Sequence, residues 1–234
     1  MVKFGLIRHF NSSRDLLTND NSIRVYAMAR SKSSNQWLHE HFSDQYVKKS
    51  QQQGYRARSA YKLIEIIDKY DLLSGVRSVV DLGASPGGWC QVVQEKAGHD
   101  LTIIGLDLLP IEPIEGVHFI EGDFTEDAVY ESLLKALKGQ KINLVLSDMA
   151  PNLSGVSATD QPKSMYLAEL ALDFCCQSLE PGGAHVVKLF QGEGFDAHIN
   201  ALRQNFQRVN IVKPDSSRAR SREVFAISMG FKKT

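Results

Sequence analysis

Four ionisable residues sit where their neighbours give them no obvious reason to be. Lys188 interrupts the apolar run Val186-Val187-Lys188-Leu189-Phe190, where a lysine is costly unless it is paired or used. Asp148 ends the run Ile142 to Ser147 and opens the loop of SDMAPN. Glu223 begins REVFAI, and Lys62 lies far upstream in SAYKLIEI. Singly, each has a plain explanation, such as a snorkelling edge lysine or a solvent-facing strand end. Brought to one sheet edge, the four suit the activation of a weakly acidic hydroxyl. A ribose 2′-OH attacking a methyl donor is such a case. A lysine amine can take the proton when a second cation, here Lys62, and partial burial favour its neutral form. Asp148 and Glu223 would orient the ammonium and the hydroxyl. In-line placement counts as much as basicity, and such chemistry requires no metal.

A second constellation surrounds DLGASPGGWC, Asp81 to Cys90. Glycines after a strand let a ligand approach the backbone, and the following helix offers free N–H groups. The spacing is neither GxGxxG, since the middle glycine is absent, nor a P-loop, since Trp89 stands where the lysine would be. A triphosphate is therefore poorly served, while a dinucleotide remains an alternative. Asp81 closes the first strand. Asp107 closes the second, where an acid takes ribose hydroxyls. Asp123 follows the third, placed to accept from an exocyclic amine. Acids and a glycine turn with no cation for a phosphate suit S-adenosylmethionine. Taken one at a time, the same acids would read as helix caps.

Stepping these residues onto elements gives strands at Arg77–Asp81, Leu101–Leu106, Val117–Glu121, Ile142–Ser147, Ala184–Phe190, Val209–Val212 and Val224–Ser228. Helical spacing covers Ser59–Tyr70, Gly87–Ala97, Glu126–Leu137, Pro162–Leu179 and Phe195–Phe206. The alternation predicts an α/β domain with a mostly parallel seven-stranded sheet and helices on both faces. Ligands bind such sheets beyond the carboxyl ends of the strands, where all the acids above fall.

The chain has 234 residues, 43% hydrophobic, which suits one domain with short additions. No run approaches a membrane span, and the start lacks the pattern of a secretory signal. The three cysteines, Cys90, Cys175 and Cys176, make no disulfide framework and no zinc pattern, which points to a reducing cytoplasm. Cys90 is expected to be a buried, inert thiol. Residues 1–27 read as an upstream extension, with Met28 as an alternative start; 28–58 reads as a basic segment before the catalytic domain of 59–234.

The motifs DLGASPGGW, LDLLPI, EGDF, SDMAPNLSG, MYLAELAL, VVKLFQGEGFD and KPDSSRARSREV, with QWLHEHFSDQYVKKSQQQGYRARSAYKL before them, resemble the FtsJ/RlmE family of large-subunit ribosomal RNA methyltransferases. The resemblance runs from about Ser33 to the C-terminus, in the family's order and spacing. It implies a Rossmann-like fold and S-adenosylmethionine as cofactor. It also implies 2′-O-methylation of a uridine in the A loop of 23S rRNA within the large ribosomal subunit; a monomer is expected, though no motif bears on it. By motif, it assigns Gly87, Trp89, Asp107, Asp123 and Asp148 to the cofactor. It assigns Lys188 as proton acceptor in a tetrad with Lys62, Asp148 and Glu223. Ser85 and Cys90 stand where some members have Ala and Ser, and residues 1–27 have no counterpart in the family.

With net charge zero, an RNA surface must come from clustering. Lys48, Lys49, Arg56 and Arg58 form one basic group, and Arg218, Arg220 and Arg222 form another just before Glu223. Beside a 2′-OH methylation site these are expected phosphate contacts. Tyr55 and Tyr61 are placed either to stack on bases or to pack. Three other readings compete: the same chemistry on tRNA or an mRNA cap, a nicotinamide-dependent dehydrogenase, and a non-enzymatic ribosome-assembly factor. The absent GxGxxG opposes the dehydrogenase, and the intact tetrad opposes the assembly factor.

Overall fold

Continuous apolar strands need cover on both faces, and this chain supplies it from helices on either side. The computed structural model describes residues 44–97, 101–152, 154–218 and 220–232. The expected extension at 1–27, Met28 and the beginning of the 28–58 segment lie outside them. In chain order the elements are α1 (Gln45–Gln53), α2 (Ala60–Tyr70), β1 (Ser78–Leu82), α3 (Gly88–Ala97), β2 (Thr102–Asp107), β3 (Val117–Glu121), α4 (Asp127–Ala136), β4 (Ile142–Ser147), α5 (Ser157–Ser178), β5 (Leu179–Phe190), α6 (Phe195–Asn205), β6 (Phe206–Val212) and β7 (Glu223–Phe231).

The seven strands form one sheet in the order β3-β2-β1-β4-β5-β7-β6. β1 to β5 run parallel, and β7 lies antiparallel between β5 and β6. The order reverses between β1 and β4, so their carboxyl ends open a crevice. Alternation along the strands sorts side chains to two cores. Val80, Leu82, Val187, Leu189 and Ala226 pack with α4, α5 and α6. Val79, Leu144, Leu146, Val186, Phe225 and Ile227 pack with α2 and α3.

Three elements depart from the sequence reading. α1 was not expected as a helix: it is mostly polar and buries only Val47 and Ser50, so its periodicity is faint. Asp44 caps it, accepting from the Tyr46 amide at 2.9 Å. α5 begins five residues before Pro162, which lies inside it. The ring costs that helix one early hydrogen bond and does not mark its start. β5 extends back through Pro181-Gly182-Gly183, which looked like a break. Its register against β4 shifts between Ile142 and Leu144 to absorb them. Among the described residues, no helix is long and apolar enough to cross a membrane.

Candidate active site

The glycine turn is stitched to the neighbouring strand ends by its own backbone. The Gly83 and Ala84 amides both donate to the Leu106 carbonyl, at 2.8 and 3.1 Å. Gly83 has φ +79, and a Cβ there would lie 2.8 Å from the Met149 amide nitrogen, so the turns after β1 and β4 touch only because this residue has no side chain. Asp107 ties the turn to β2: its Oδ2 accepts from the Ser85 amide at 2.9 Å and its Oδ1 from the Leu109 amide at 2.8 Å. Each oxygen keeps a second lone pair for a ligand hydroxyl. Asp123 Oδ1 accepts from the Thr125 amide and hydroxyl at 2.9 and 2.7 Å, fixing the turn into α4.

These turns wall a cavity of about 900 Å³. Asp107, Asp123 and Asp148 line it together with Gly83 and Ser85. Leu108, Met149 and Tyr166, which the sequence reading did not single out, contribute apolar walls. The signal was there for the first two: each follows a strand-ending acid and so faces the same opening. Gly87 and Trp89 do not line the cavity. The Trp89 indole is buried and donates to the Ser59 carbonyl at 2.9 Å, with its ring 5.8 Å from that of Phe225. Gly87, at φ +102, leaves room for the Arg56 guanidinium, 3.0 Å from where its Cβ would be.

The four residues of the expected tetrad resolve into two ion pairs on the α2 and α3 side of the sheet. Lys188 Nζ lies 2.9 Å from Asp148 Oδ1 and donates to the Asp148 carbonyl at 2.6 Å. Lys62 Nζ pairs with Glu223 Oε1 and sits 5.6 Å from the centre of the Phe225 ring. Phe225 is the strand partner of Lys188, and Glu223 is that of Phe190, so the two pairs flank one ring on neighbouring strands. Asp148 belongs to both constellations, lining the cavity and holding Lys188.

Behind the glycine turn, Asp81 is 1% exposed. Burial pushes its carboxyl up to about 7; a hydrogen bond from the Cys90 thiol opposes this, and the charges of Asp148 and Asp107 add to it. Cys90 Sγ donates to Asp81 Oδ2 at 3.3 Å, and burial raises the thiol well above its ordinary range. Cys90 is thus the inert thiol that was expected.

The basic residues divide by use. Arg56 donates to the carbonyls of Pro86 and Pro113 at 3.1 and 2.9 Å, and to that of Glu112, so it braces the glycine turn. Arg58 pairs with Asp44 and donates to the Ser216 carbonyl. Arg218 approaches the same Asp44 oxygen at 3.6 Å, so the two basic groups meet across one carboxylate. Lys48, Arg220 and Arg222 are exposed, as is Lys49, whose Nζ lies 4.5 Å over the Tyr61 ring. Tyr61 is buried and Tyr55 donates to Glu95 at 2.6 Å, so both tyrosines pack.

An acid-lined crevice at the switch point of a mostly parallel sheet with an antiparallel seventh strand is a Rossmann-like arrangement suited to a nucleoside cofactor. Residues 55–231 match the model of the FtsJ-like methyltransferase family. The chain is 54% identical to ribosomal RNA large subunit methyltransferase E of Marinobacter nauticus, over 88% of this chain and 99% of that one. It is 51% identical to the protein of the same name from Hahella chejuensis, over 88% of this chain and all of that one. A crystal structure described as a ribosomal RNA methyltransferase from Plasmodium falciparum superposes with a TM-score of 0.67 at 34% identity, covering 76% of this chain and 98% of that one. The chain belongs to the FtsJ-like methyltransferase family.

Proposed function

We propose that this methyltransferase moves the methyl group of S-adenosylmethionine to the ribose 2′-OH of a uridine in the A loop of 23S rRNA, within the large ribosomal subunit. The observation that carries the reading is the double placement of Asp148, in the wall of the cavity and 2.9 Å from Lys188. A cofactor site and a candidate base thus share one residue.

The cavity fits that cofactor by its donor set. Its charged lining is Asp107, Asp123, Asp148 and Lys163, an acidic balance suited to a sulfonium and an amine and unsuited to a polyphosphate. When bound, S-adenosylmethionine supplies an electrophilic sulfonium methyl. Asp107 would hold the ribose hydroxyls and Asp123 the adenine amine, while the Gly83 turn leaves room for the amino-acid tail. Gly87 and Trp89 would act from behind, by shaping the turn and its helix. Lys188, in its neutral amine form, would take the proton of the 2′-OH as the oxygen bonds to the methyl carbon and the sulfur–methyl bond breaks, leaving the neutral thioether as the departing group. Asp148 aims the lysine, and the Lys62–Glu223 pair holds the hydroxyl's other side. Lys48, Lys49, Arg220 and Arg222 lie exposed on segments leading into Lys62 and Glu223, where substrate phosphates would run. Arg56, Arg58 and Arg218 would contribute by bracing these segments.

The test is a strain lacking this gene, its rRNA mapped for 2′-O-methylation, and complemented with wild type or Lys188→Ala. Loss of the A-loop mark, restored only by wild type, is expected. A mark that persists in the deletion strain overturns the substrate assignment; full restoration by Lys188→Ala overturns the base assignment.

A further inference from the structure

Two adjacent side chains in the first turns of α5, Asp160 and Gln161, make their hydrogen bonds to loops outside their helix. Asp160 Oδ1 accepts from the Ser154 amide at 2.9 Å and the Ser154 hydroxyl at 2.8 Å, and Oδ2 accepts from the Gly155 amide at 2.9 Å. Ser154 and Gly155 lie in the loop that Asp148 opens. Gln161 Nε2 donates to the carbonyls of Phe190 and Glu193, both at 3.0 Å. Phe190 ends the strand of Lys188, and Glu193 lies in the loop beyond it. Both side chains are buried, at 9% and 7% exposure, so neither is presented to a ligand. The loop rests directly on the carboxamide: a Cβ on Gly192 would lie 2.8 Å from Gln161 Cδ.

The sheet alone does not hold the space between Asp148 and Lys188. The parallel ladder of β4 and β5 has its last pair at Ser147 and Val187, one residue short of both. Beyond that point the Asp148 amide still donates to the Leu82 carbonyl at 3.0 Å and β5 runs on to Phe190 paired with β7, but no strand pairing joins Asp148 to Lys188, and α5 grips the loop that follows each. We infer that Asp160 and Gln161 form a positioning dyad that sets the distance between Asp148 and Lys188 by fixing the loops that follow them. Its consequence for catalysis rests on the function proposed above; its consequence for geometry does not. A displacement of about 1 Å in a reacting group is enough to cost roughly 100-fold in rate.

The experiment uses full-length Gln161→Met, which keeps the side chain's length and removes both donors. Gly192→Ala serves as a second variant that pushes on an unaltered Gln161 and stands in if the first does not fold. Each is made alone and together with Lys188→Ala. Crystal structures are expected to show the Lys188–Asp148 pair opened beyond 4 Å, roughly the limit for an ion pair. Single-turnover methyl transfer to large subunits is expected to fall roughly 10- to 100-fold, with S-adenosylmethionine affinity changed less than about twofold. In the Lys188→Ala background the same variants are expected to add no further loss, because nothing remains to be positioned. A crystal structure with the ion pair intact overturns the dyad, whatever the substrate proves to be. So does an equal fold-loss with and without Lys188, which is the mark of a merely structural role. Wild-type protein inactive on the 2′-OH would instead overturn the proposed function, while the crystallographic arm still decides the dyad.

Discussion

The face of the sheet under α2 and α3 and the face under α4, α5 and α6 both bury polar groups, but in different chemical states. Under α2 and α3 the buried groups are acids and amines: Asp81 against the Cys90 thiol, Lys188 against Asp148, Lys62 against Glu223. Under the other helices, apart from the Asp160 and Gln161 side chains that hold loops, they include two imidazoles. His185, fully buried, has Nδ1 3.1 Å from the Val145 carbonyl and stacks on Phe206. His198 is buried with no hydrogen-bond partner for either ring nitrogen among the described residues. Burial lowers both histidines to about 4, so they are neutral in the folded protein at ordinary pH. An unpartnered neutral polar group is costly to bury, but less so than a charge, which must be paired or used. One face therefore keeps its buried rings neutral, and the other keeps charge beside the cavity.

The largest effect should come from removing the amine that reacts. Lys188→Ala is expected to lower single-turnover methyl transfer by about 10²- to 10⁴-fold, the range of a general base. Its cofactor affinity should change little, since Asp148 stays in the cavity wall, while its Tm should fall modestly because Asp148 Oδ1 loses its partner. A variant that loses stability and keeps activity would turn this pair into a core device like those opposite, and the contrast between the faces would collapse.

Asp81 tests the same face through pH. Its folded pKa, about 7, lies above the ordinary 3.8, so the folded state binds more protons between those values. The favourable term is complete below 3.8 and is lost as pH rises through 7. Asp81→Asn removes the late charge and should stabilise the protein at pH 8 by about 2–4 kcal/mol relative to wild type, with no gain at pH 4. Urea unfolding at the two pH values measures it. An equal change at both would mean that Asp81 is not titrating in the fold.

The histidines should give the opposite slope. Their folded pKa of about 4 lies below the ordinary 6.5, so the unfolded chain binds more protons in that window and stability falls as pH drops through it. For His185 the gap corresponds to roughly 3 kcal/mol at full protonation, with less for His198. His198→Leu, which removes an unpartnered ring, should flatten the decline between pH 6.5 and 4. An unchanged slope would show that acid unfolding starts elsewhere.

How much of this was legible in the sequence depended on whether a feature is local. The strands announced themselves because they are apolar and end in acids; Asp107, Asp123 and Asp148 followed from that alone. Lys188 was visible because nothing around it is polar. α1 was not visible, because its stability comes from a cap and from one buried valine. The partition of the tetrad into Lys188–Asp148 and Lys62–Glu223 was not visible either, since it depends on which strands neighbour each other. Asp160 and Gln161 lie just before the helix expected from Pro162, and nothing in their sequence neighbourhood singled them out. Their meaning comes from loops six and about thirty residues away, as the Ser154, Phe190 and Glu193 contacts record.

The basic residues failed to sort by sequence for the same reason, and they give the smallest and last effect. Arg56, Arg58 and Arg218 are partly buried and hold carbonyls or Asp44, and Arg220 and Arg222 are largely exposed to solvent just before Glu223. A phosphate contact releases counterions and a brace does not, so the two uses separate in the salt dependence of RNA binding. Replacing Arg220 and Arg222 together with Ala should reduce the slope of log affinity against log salt by about 1–2. Arg56→Ala should leave that slope unchanged and weaken S-adenosylmethionine binding instead, because Pro86 of the glycine turn is no longer tied through Arg56 to Pro113. Binding of a large-subunit rRNA fragment across a salt series decides between them. If Arg56→Ala changed the slope as much as the double variant, position relative to the cavity would not distinguish a bracing arginine from one that meets the substrate.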